Sequence, residues 1–318
     1  MFRLVTGVSK SGKTEYVRNY LSALAKSGED KLLMIVPDQQ SFDTEKAFLE
    51  ILGPQKARNV KVLGLSRLCD YVFEQTAYVP DTLADESVKT LIMSMALEDT
   101  ADSLRLYGEK ALSPQMLKMM LSLQKELKTS KITSELYSNI SAENNKLLSN
   151  KLCDTQLILS AYDALLSTAF EDPDSELSIA CDLLSESKLF ENYYICIDSY
   201  LYFSETEFDV VRILMSQAKE LLLTLSDDGV VCDESIFQAS RNIAKRLMAF
   251  AKEDNIPVAS AIVCDYKGFF KEPELLHIAE NIYSRNSDIT PVAVSDENCP
   301  IKIYSSFNIY EESRRRVR

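Results

Sequence analysis

The spacing of apolar positions along the chain changes twice, dividing it into three stretches. In the first, Phe2-Arg3-Leu4-Val5-Thr6 reads as a short buried strand, and Thr14 to Lys26 reads as a helix with Tyr16, Val17, Tyr20, Leu21 and Leu24 on one face. The run from Lys31 through Leu32, Leu33, Met34 and Ile35 to Val36, ended by Pro37, predicts a strand buried on both faces of a parallel sheet. Asn59 to Gly64 predicts a third strand, and Ser66 is placed to cap a helix carrying Leu68, Tyr71, Val72 and Phe73. Strand and helix alternate with short connections over residues 1–78, the pattern of a doubly wound α/β sheet.

Strand periodicity is lost over residues 79–187. Met116, Met120, Leu123 and Leu127 recur at helical spacing, and after a polar break at Ser141-Ala142-Glu143-Asn144-Asn145 the rhythm resumes with Leu157, Ala161 and Ala164. This block predicts an all-helical insertion whose stripes are core seams. Alternation returns over residues 188–300, where Tyr193-Tyr194-Ile195-Cys196-Ile197 predicts a strand ending in Asp198. Ser204-Glu205-Thr206-Glu207 is a capping box opening a helix with Phe208, Val211, Leu214 and Met215. Glu220 to Leu225 predicts a strand ending in Ser226-Asp227-Asp228, and Pro257 to Val263 predicts another. The two α/β stretches are expected to form one sheet split by the helical insertion, with residues 301–318 beginning a further unit.

Between the first strand and first helix, Gly7-Val8-Ser9-Lys10-Ser11-Gly12-Lys13-Thr14 fills every fixed position of the phosphate-binding loop G-x-x-x-x-G-K-[ST]. A strand that turns through glycines into a helix N-terminus presents backbone N–H groups and the positive end of the helix dipole to an anion. Lys13 is placed to reach the β- and γ-phosphates of ATP or ADP, and the Thr14 hydroxyl to bind Mg²⁺. Asp198, at the end of an apolar strand, is the candidate second Mg²⁺ group, acting through water. Ser199 follows it where an active helicase has a water-positioning glutamate, and the capping box already accounts for Glu207. No catalytic residue is assigned; the loop reads as built to bind a nucleotide and poorly equipped to cleave it.

Composition narrows the remaining classes. Of 318 residues, 46% are hydrophobic and 26% charged, sufficient for a packed core and against disorder. A net charge of −13 opposes autonomous nucleic-acid binding, so any DNA contact is local or shared with a partner. Seven cysteines without a C-x-x-C pair, and one histidine, form no zinc or iron–sulfur motif. Their odd number, without a signal peptide, reads as reduced cytoplasmic thiols. No apolar run approaches the roughly 18 residues of a membrane span.

The phosphate loop, Val36-Pro37-Asp38-Gln39-Gln40-Ser41-Phe42 with Glu45, Val62-Leu63-Gly64-Leu65-Ser66-Arg67-Leu68, Ile195-Cys196-Ile197-Asp198-Ser199-Tyr200 and Leu223-Thr224-Leu225 together resemble the start of the AddB/RexB family. Asn308 with Glu311 and Glu312 resembles that family's entry to a second motor-like lobe. These proteins are B subunits of the bacterial ATP-dependent helicase/nuclease that processes double-strand breaks. The resemblance implies a P-loop NTPase fold, a RecA-like lobe of the superfamily 1 helicase type carrying a helical insertion. It further implies lost unwinding activity, scanning of single-stranded DNA for the Chi hotspot, and pairing with an AddA-type helicase/nuclease subunit in a heterodimer. The matching DNA-side positions are Gln39, Ser41 and Arg67. Asp70 stands where the family often has an aromatic residue. The family's C-terminal nuclease and iron–sulfur cluster would need several hundred further residues, and the chain stops within a helix pattern at Arg314-Arg315-Arg316-Val317-Arg318, so a fragment is expected. Two other readings stay open: an active P-loop ATPase or kinase of another class, and a structural module with a vestigial loop.

Overall fold

Every strand in the sheet is parallel, and the reason is local: each apolar run is followed by a helix that returns the chain to the same starting edge. A computed structural model describes residues 1–79, 84–108, 112–132, 146–168, 176–229, 236–265, 269, 272–282 and 305–316. The strands are β1 (Phe2–Gly7), β2 (Leu32–Ile35), β3 (Val60–Leu63), β4 (Tyr194–Ile197), β5 (Glu220–Ser226) and β6 (Ile262–Val263), in the order β3-β2-β4-β5-β1-β6. The two α/β stretches therefore interleave in one sheet, with β4 and β5 inserted between β1 and β2. This is the expected α/β architecture.

Helices α1 (Lys13–Ser27) and α2 (Ser41–Lys56) cover one face, where Val17, Leu21, Ala25 and Phe48 pack with Val5, Met34 and Leu222. Helices α3 (Leu65–Thr76), α7 (Glu176–Glu186), α8 (Glu205–Gln217) and α9 (Gln238–Glu253) cover the other. The helical block consists of α4 (Glu86–Thr100), α5 (Pro114–Thr129) and α6 (Lys146–Leu166), with its own core around Met93, Leu97, Met120, Ile158 and Tyr162. Beyond the sheet lie α10 (Pro273–Asn281) and α11 (Ile309–Arg316). No described helix is long and apolar enough to cross a membrane.

Four details depart from the sequence expectations. The seam of α6 runs through Ile158, Tyr162 and Leu166 rather than Leu157, Ala161 and Ala164; Leu157 is 41% exposed, because the bulkier stripe one position on removes more apolar area from water. Helix α7 lies within the expected insertion but packs on the sheet layer, its Ala180, Cys181 and Leu184 buried with residues of α3 and α8. Only two residues of the Pro257–Val263 run form β6; Val258 bridges Phe2 while Ile262 pairs with Val5, so one extra residue interrupts the ladder between them. Ser66 does not cap α3, whose N-cap is Gly64 without a side-chain bond. The break at Ser141–Asn145 falls outside the described residues.

Ser66 instead donates its hydroxyl to Asp38 Oδ2 at 3.0 Å, joining the turns that follow β2 and β3. Asp38 lies so close to Gly64 that a Cβ there would sit 1.6 Å from its Oδ1. A second tie holds the helical block. The Asp154 carboxylate of α6, only 2% exposed, accepts backbone N–H groups of Arg105, Leu106 and Tyr107 at 2.9, 2.6 and 3.1 Å, fixing the segment after α4.

Asp154→Ala leaves three inward-facing N–H groups without an acceptor, and the expected loss is about 2–4 kcal/mol in urea unfolding; an unchanged midpoint would show that water replaces the carboxylate without cost. Gly64→Ala is expected to cost about 1–3 kcal/mol by displacing Asp38. Because backbone angles of φ −87° and ψ 173° suit alanine equally well, the loss isolates the contact, and Asp38→Ala in the same chain should recover part of it.

Candidate functional site

Parallel strands place all their carboxyl ends along one edge, where the crevice of an open α/β sheet forms. The segment from Gly7 to Thr14 leaves β1 at that edge. Gly7 has φ 155° and Gly12 has φ 91°, and a Cβ on Gly7 would fall 2.5 Å from the Cys264 carbonyl oxygen. Glycine is therefore demanded at position 7 by both angle and space. Lys13 opens α1, and its Nζ donates to the Gly7 and Val8 carbonyls at 2.7 and 2.8 Å. Burial holds the Lys13 ammonium below its ordinary pKa, with the Asp198 charge acting in the opposite direction. Ser11 is 4% exposed, and its hydroxyl has no hydrogen-bond partner among the described residues. Lys10, at φ 62°, lies over the Phe269 ring at 4.9 Å. Thr14 is half-buried in the first turn of α1.

Asp198 follows β4, 2% exposed, its N–H donating to the Ile35 carbonyl at 2.9 Å. The Thr224 hydroxyl of β5 donates to Oδ1, and the Ser199 hydroxyl to Oδ2 at 3.2 Å. Ser199 has φ 67°, a conformation that side-chain-bearing residues rarely adopt. Glu207 completes the capping box with Ser204 as expected: the Ser204 N–H donates to its carboxylate at 2.6 Å, and the Glu207 N–H donates to the Ser204 hydroxyl. Glu205 pairs with Arg246, which holds its carboxyl below the usual range. Neither glutamate is available to stand in for the missing neighbour of Asp198.

The remaining predicted positions follow β2 and β3 along the same edge. Gln39 is exposed in the short turn Asp38–Gln40. Ser41 is 4% exposed and donates its hydroxyl to the Asp38 carbonyl at 2.7 Å, so it shapes this turn from beneath. Arg67, in the first turn of α3, is exposed and pairs with Glu45 of α2 at 3.3 Å. Asp70 is exposed on α3. Three residues beyond those predicted shape the edge: Thr224, Asp38 and Arg241. Thr224 carries a signal, being the single polar residue within Leu221–Leu225; Asp38 and Arg241 act through contacts that join distant parts of the chain.

The arrangement joins a buried ammonium, an open turn into a helix N-terminus and an inward carboxylate. Such a set suits an anion held by backbone N–H groups with a cation between anion and carboxylate. Among the described residues no cluster of three or more His, Cys, Asp or Glu side chains forms a protein-only metal cage.

The family described as ADDB, N-terminal, matches residues 4–279. Over 98% of its length the chain is 26% identical to the B subunit of an ATP-dependent helicase/deoxyribonuclease from Clostridium acetobutylicum, covering 27% of that protein. The B subunits of the same name from Acetivibrio thermocellus and Clostridium tetani are 25% and 26% identical, again over 98% of the chain and 28% of their own length. The chain thus spans about a quarter of these curated relatives. A family match from the first strand through α10 makes this chain a member of the AddB family, corresponding to its N-terminal region.

Proposed function

We propose that the chain is the nucleotide-binding, helicase-like N-terminal region of a helicase/deoxyribonuclease B subunit, and that it binds Mg²⁺ with ATP or ADP without turning ATP over efficiently. In this reading the fold is that of a P-loop NTPase. The observation that carries it is the pairing of Lys13 with Asp198: two charged groups from strands separated by β5, drawn inward at one edge where neither serves the core. Lys13 would exchange its two loop carbonyls for phosphate oxygens, the N–H groups of Ser9 to Thr14 would hold the phosphates, and Thr14 and Asp198 would hold Mg²⁺ directly and through water. The bound metal would neutralise phosphate charge. Ser199 supports binding without hydrolysis, because both Asp198 oxygens already accept protein hydroxyls and no carboxylate follows to position water.

For the whole protein we propose a role in double-strand break repair and recombination, in a heterodimer with an AddA-type partner, as the relatives' name supports. Gln39 and Arg67, both exposed on the strand-end edge, would face single-stranded DNA, with Ser41 holding the Asp38–Gln40 turn beneath them. An amide reads base edges and a guanidinium pairs with phosphate, as recognition of a Chi-type sequence requires.

Mg²⁺-ADP at a hundred times its Kd is expected to add about 2.7 kcal/mol and raise the melting temperature by a few degrees. Lys13→Ala should abolish that shift; no shift in the wild-type chain at millimolar nucleotide would make the loop vestigial. Steady-state ATP hydrolysis by this chain should stay below about one turnover per second with or without single-stranded DNA, and faster turnover lost in Asp198→Ala would establish an active ATPase. In the assembled complex, Arg67→Ala should weaken strand binding generally, whereas Gln39→Ala should alter the preference for hotspot over scrambled strands. Wild-type behaviour of both variants on both strands would remove the DNA assignment.

A further inference from the structure

Strand β5 ends against the phosphate loop. Ser226 pairs with Gly7, and the Asp227 N–H donates to the Gly7 carbonyl at 3.1 Å. That carbonyl is the same one that accepts Lys13 Nζ. The Asp227 side chain is anchored in turn. Its Oδ1 accepts Arg241 Nε and Nη2 at 3.1 and 2.8 Å and the Gly229 N–H at 3.2 Å, while Arg241 Nη2 also donates to Asp228 Oδ1 at 2.6 Å. Arg241 comes from α9, fourteen residues along the chain from Asp227, and its side chain is 15% exposed. One guanidinium from the far-face helix layer thus holds two neighbouring carboxylates beside the loop.

We infer that Arg241 is a positioning residue for nucleotide binding: by pinning Asp227 it keeps an N–H on the Gly7 carbonyl when Lys13 leaves that carbonyl for phosphate. This rests on the nucleotide-binding reading above. If Lys13 were the sole donor to Gly7, its departure would strand a buried carbonyl, and that penalty would oppose binding. The backbone donor from β5 removes the penalty, provided that the Asp227 turn does not move. A planar guanidinium with donors on two edges suits that task, since it spans both carboxylates at once, whereas a lysine ammonium is a single point of charge. The same ion pairs offset two negative charges next to the place where phosphates would lie. Loss of Arg241 should therefore weaken nucleotide binding through both the loop and the local charge, and the charge effect should be larger for ATP than for ADP.

The test is titration of the chain with fluorescent Mg²⁺-ADP and Mg²⁺-ATP analogues, at a temperature where far-ultraviolet circular dichroism shows wild type and variants equally folded. Arg241→Met is expected to raise Kd about tenfold for ADP and more for ATP, with Arg241→Lys recovering part of the loss. Arg241→Met carried together with Asp228→Asn should narrow the ATP–ADP difference, a result that a merely structural arginine would not produce. Unchanged Kd values in folded Arg241→Met, beside clear binding by wild type, overturn this inference alone. Absence of binding in the wild type overturns the nucleotide reading and this inference with it. If Arg241→Met does not fold, Arg241→Lys decides: wild-type affinity and an unaltered ATP–ADP ratio overturn the positioning role, and a raised Kd with a widened ratio supports it.

Discussion

The hydrogen bond from Thr224 to Asp198 sets the geometry on which the strand-end edge depends. Strand β5 is buried on both faces, so Leu221, Leu222, Leu223 and Leu225 provide no alternation of apolar and polar residues to fix its register. A slip of one residue would exchange leucine for leucine almost everywhere. Thr224 alone would suffer, since the residue is 4% exposed and a buried polar group without a partner is costly. Asp198, itself 2% exposed, supplies the acceptor one step beyond the Ile197–Leu223 pair. A single polar pair thus selects the register that the leucines leave open.

Several placements follow from that register. With β5 fixed against β4, its other edge sets Ser226 opposite Gly7, and the phosphate loop leaves the sheet beside the Asp198 carboxylate. The Gly7 carbonyl then meets both the Lys13 ammonium and the Asp227 N–H. The loop is compressed from the opposite side by the Cys264 carbonyl beyond the edge strand, which leaves no room for any side chain at position 7. The helical block takes no part in this packing. It has its own core and its own polar tie at Asp154, and can be carried between β3 and β4 without disturbing the register that orders the edge.

The core of the sheet is legible in the sequence because burial on both faces leaves a plain mark: five of the six strands lie where continuous apolar runs place them, within about a residue at either end. The sixth is shorter than its composition suggests, because Pro257 to Val263 inserts one residue relative to β1, and pairing register leaves no trace in composition. The α6 seam lies one position from the expected stripe because alanine and leucine satisfy helical spacing without revealing which stripe meets a partner; Tyr162 and Ile158 decide it through size. The phosphate loop and Asp198 are legible as motifs. Their supports are not, since Thr224, Asp38 and Arg241 act across 26, 28 and 14 residues of chain, and nothing local distinguishes them from ordinary polar residues.

The acidic character of the chain bears on how a DNA strand would be held under the proposed reading. Arg67 is not a waiting cation; it is paired with Glu45, and both side chains are about half exposed. Exposed pairs of this kind contribute about 0–1 kcal/mol, so exchanging Glu45 for a phosphate costs little, but it also gains little against a net charge of −13. Affinity would have to come from elsewhere in the assembly, where counterion release from many phosphates can accumulate. What this edge can contribute is discrimination. Gln39 sits on a turn whose shape is fixed by the Ser41 hydroxyl beneath it and by Asp38 wedged against Gly64, and a rigidly presented amide distinguishes bases better than a mobile one. A weakly attracting, well-ordered surface is suited to sampling a moving strand and responding to one sequence, because it does not retain the others.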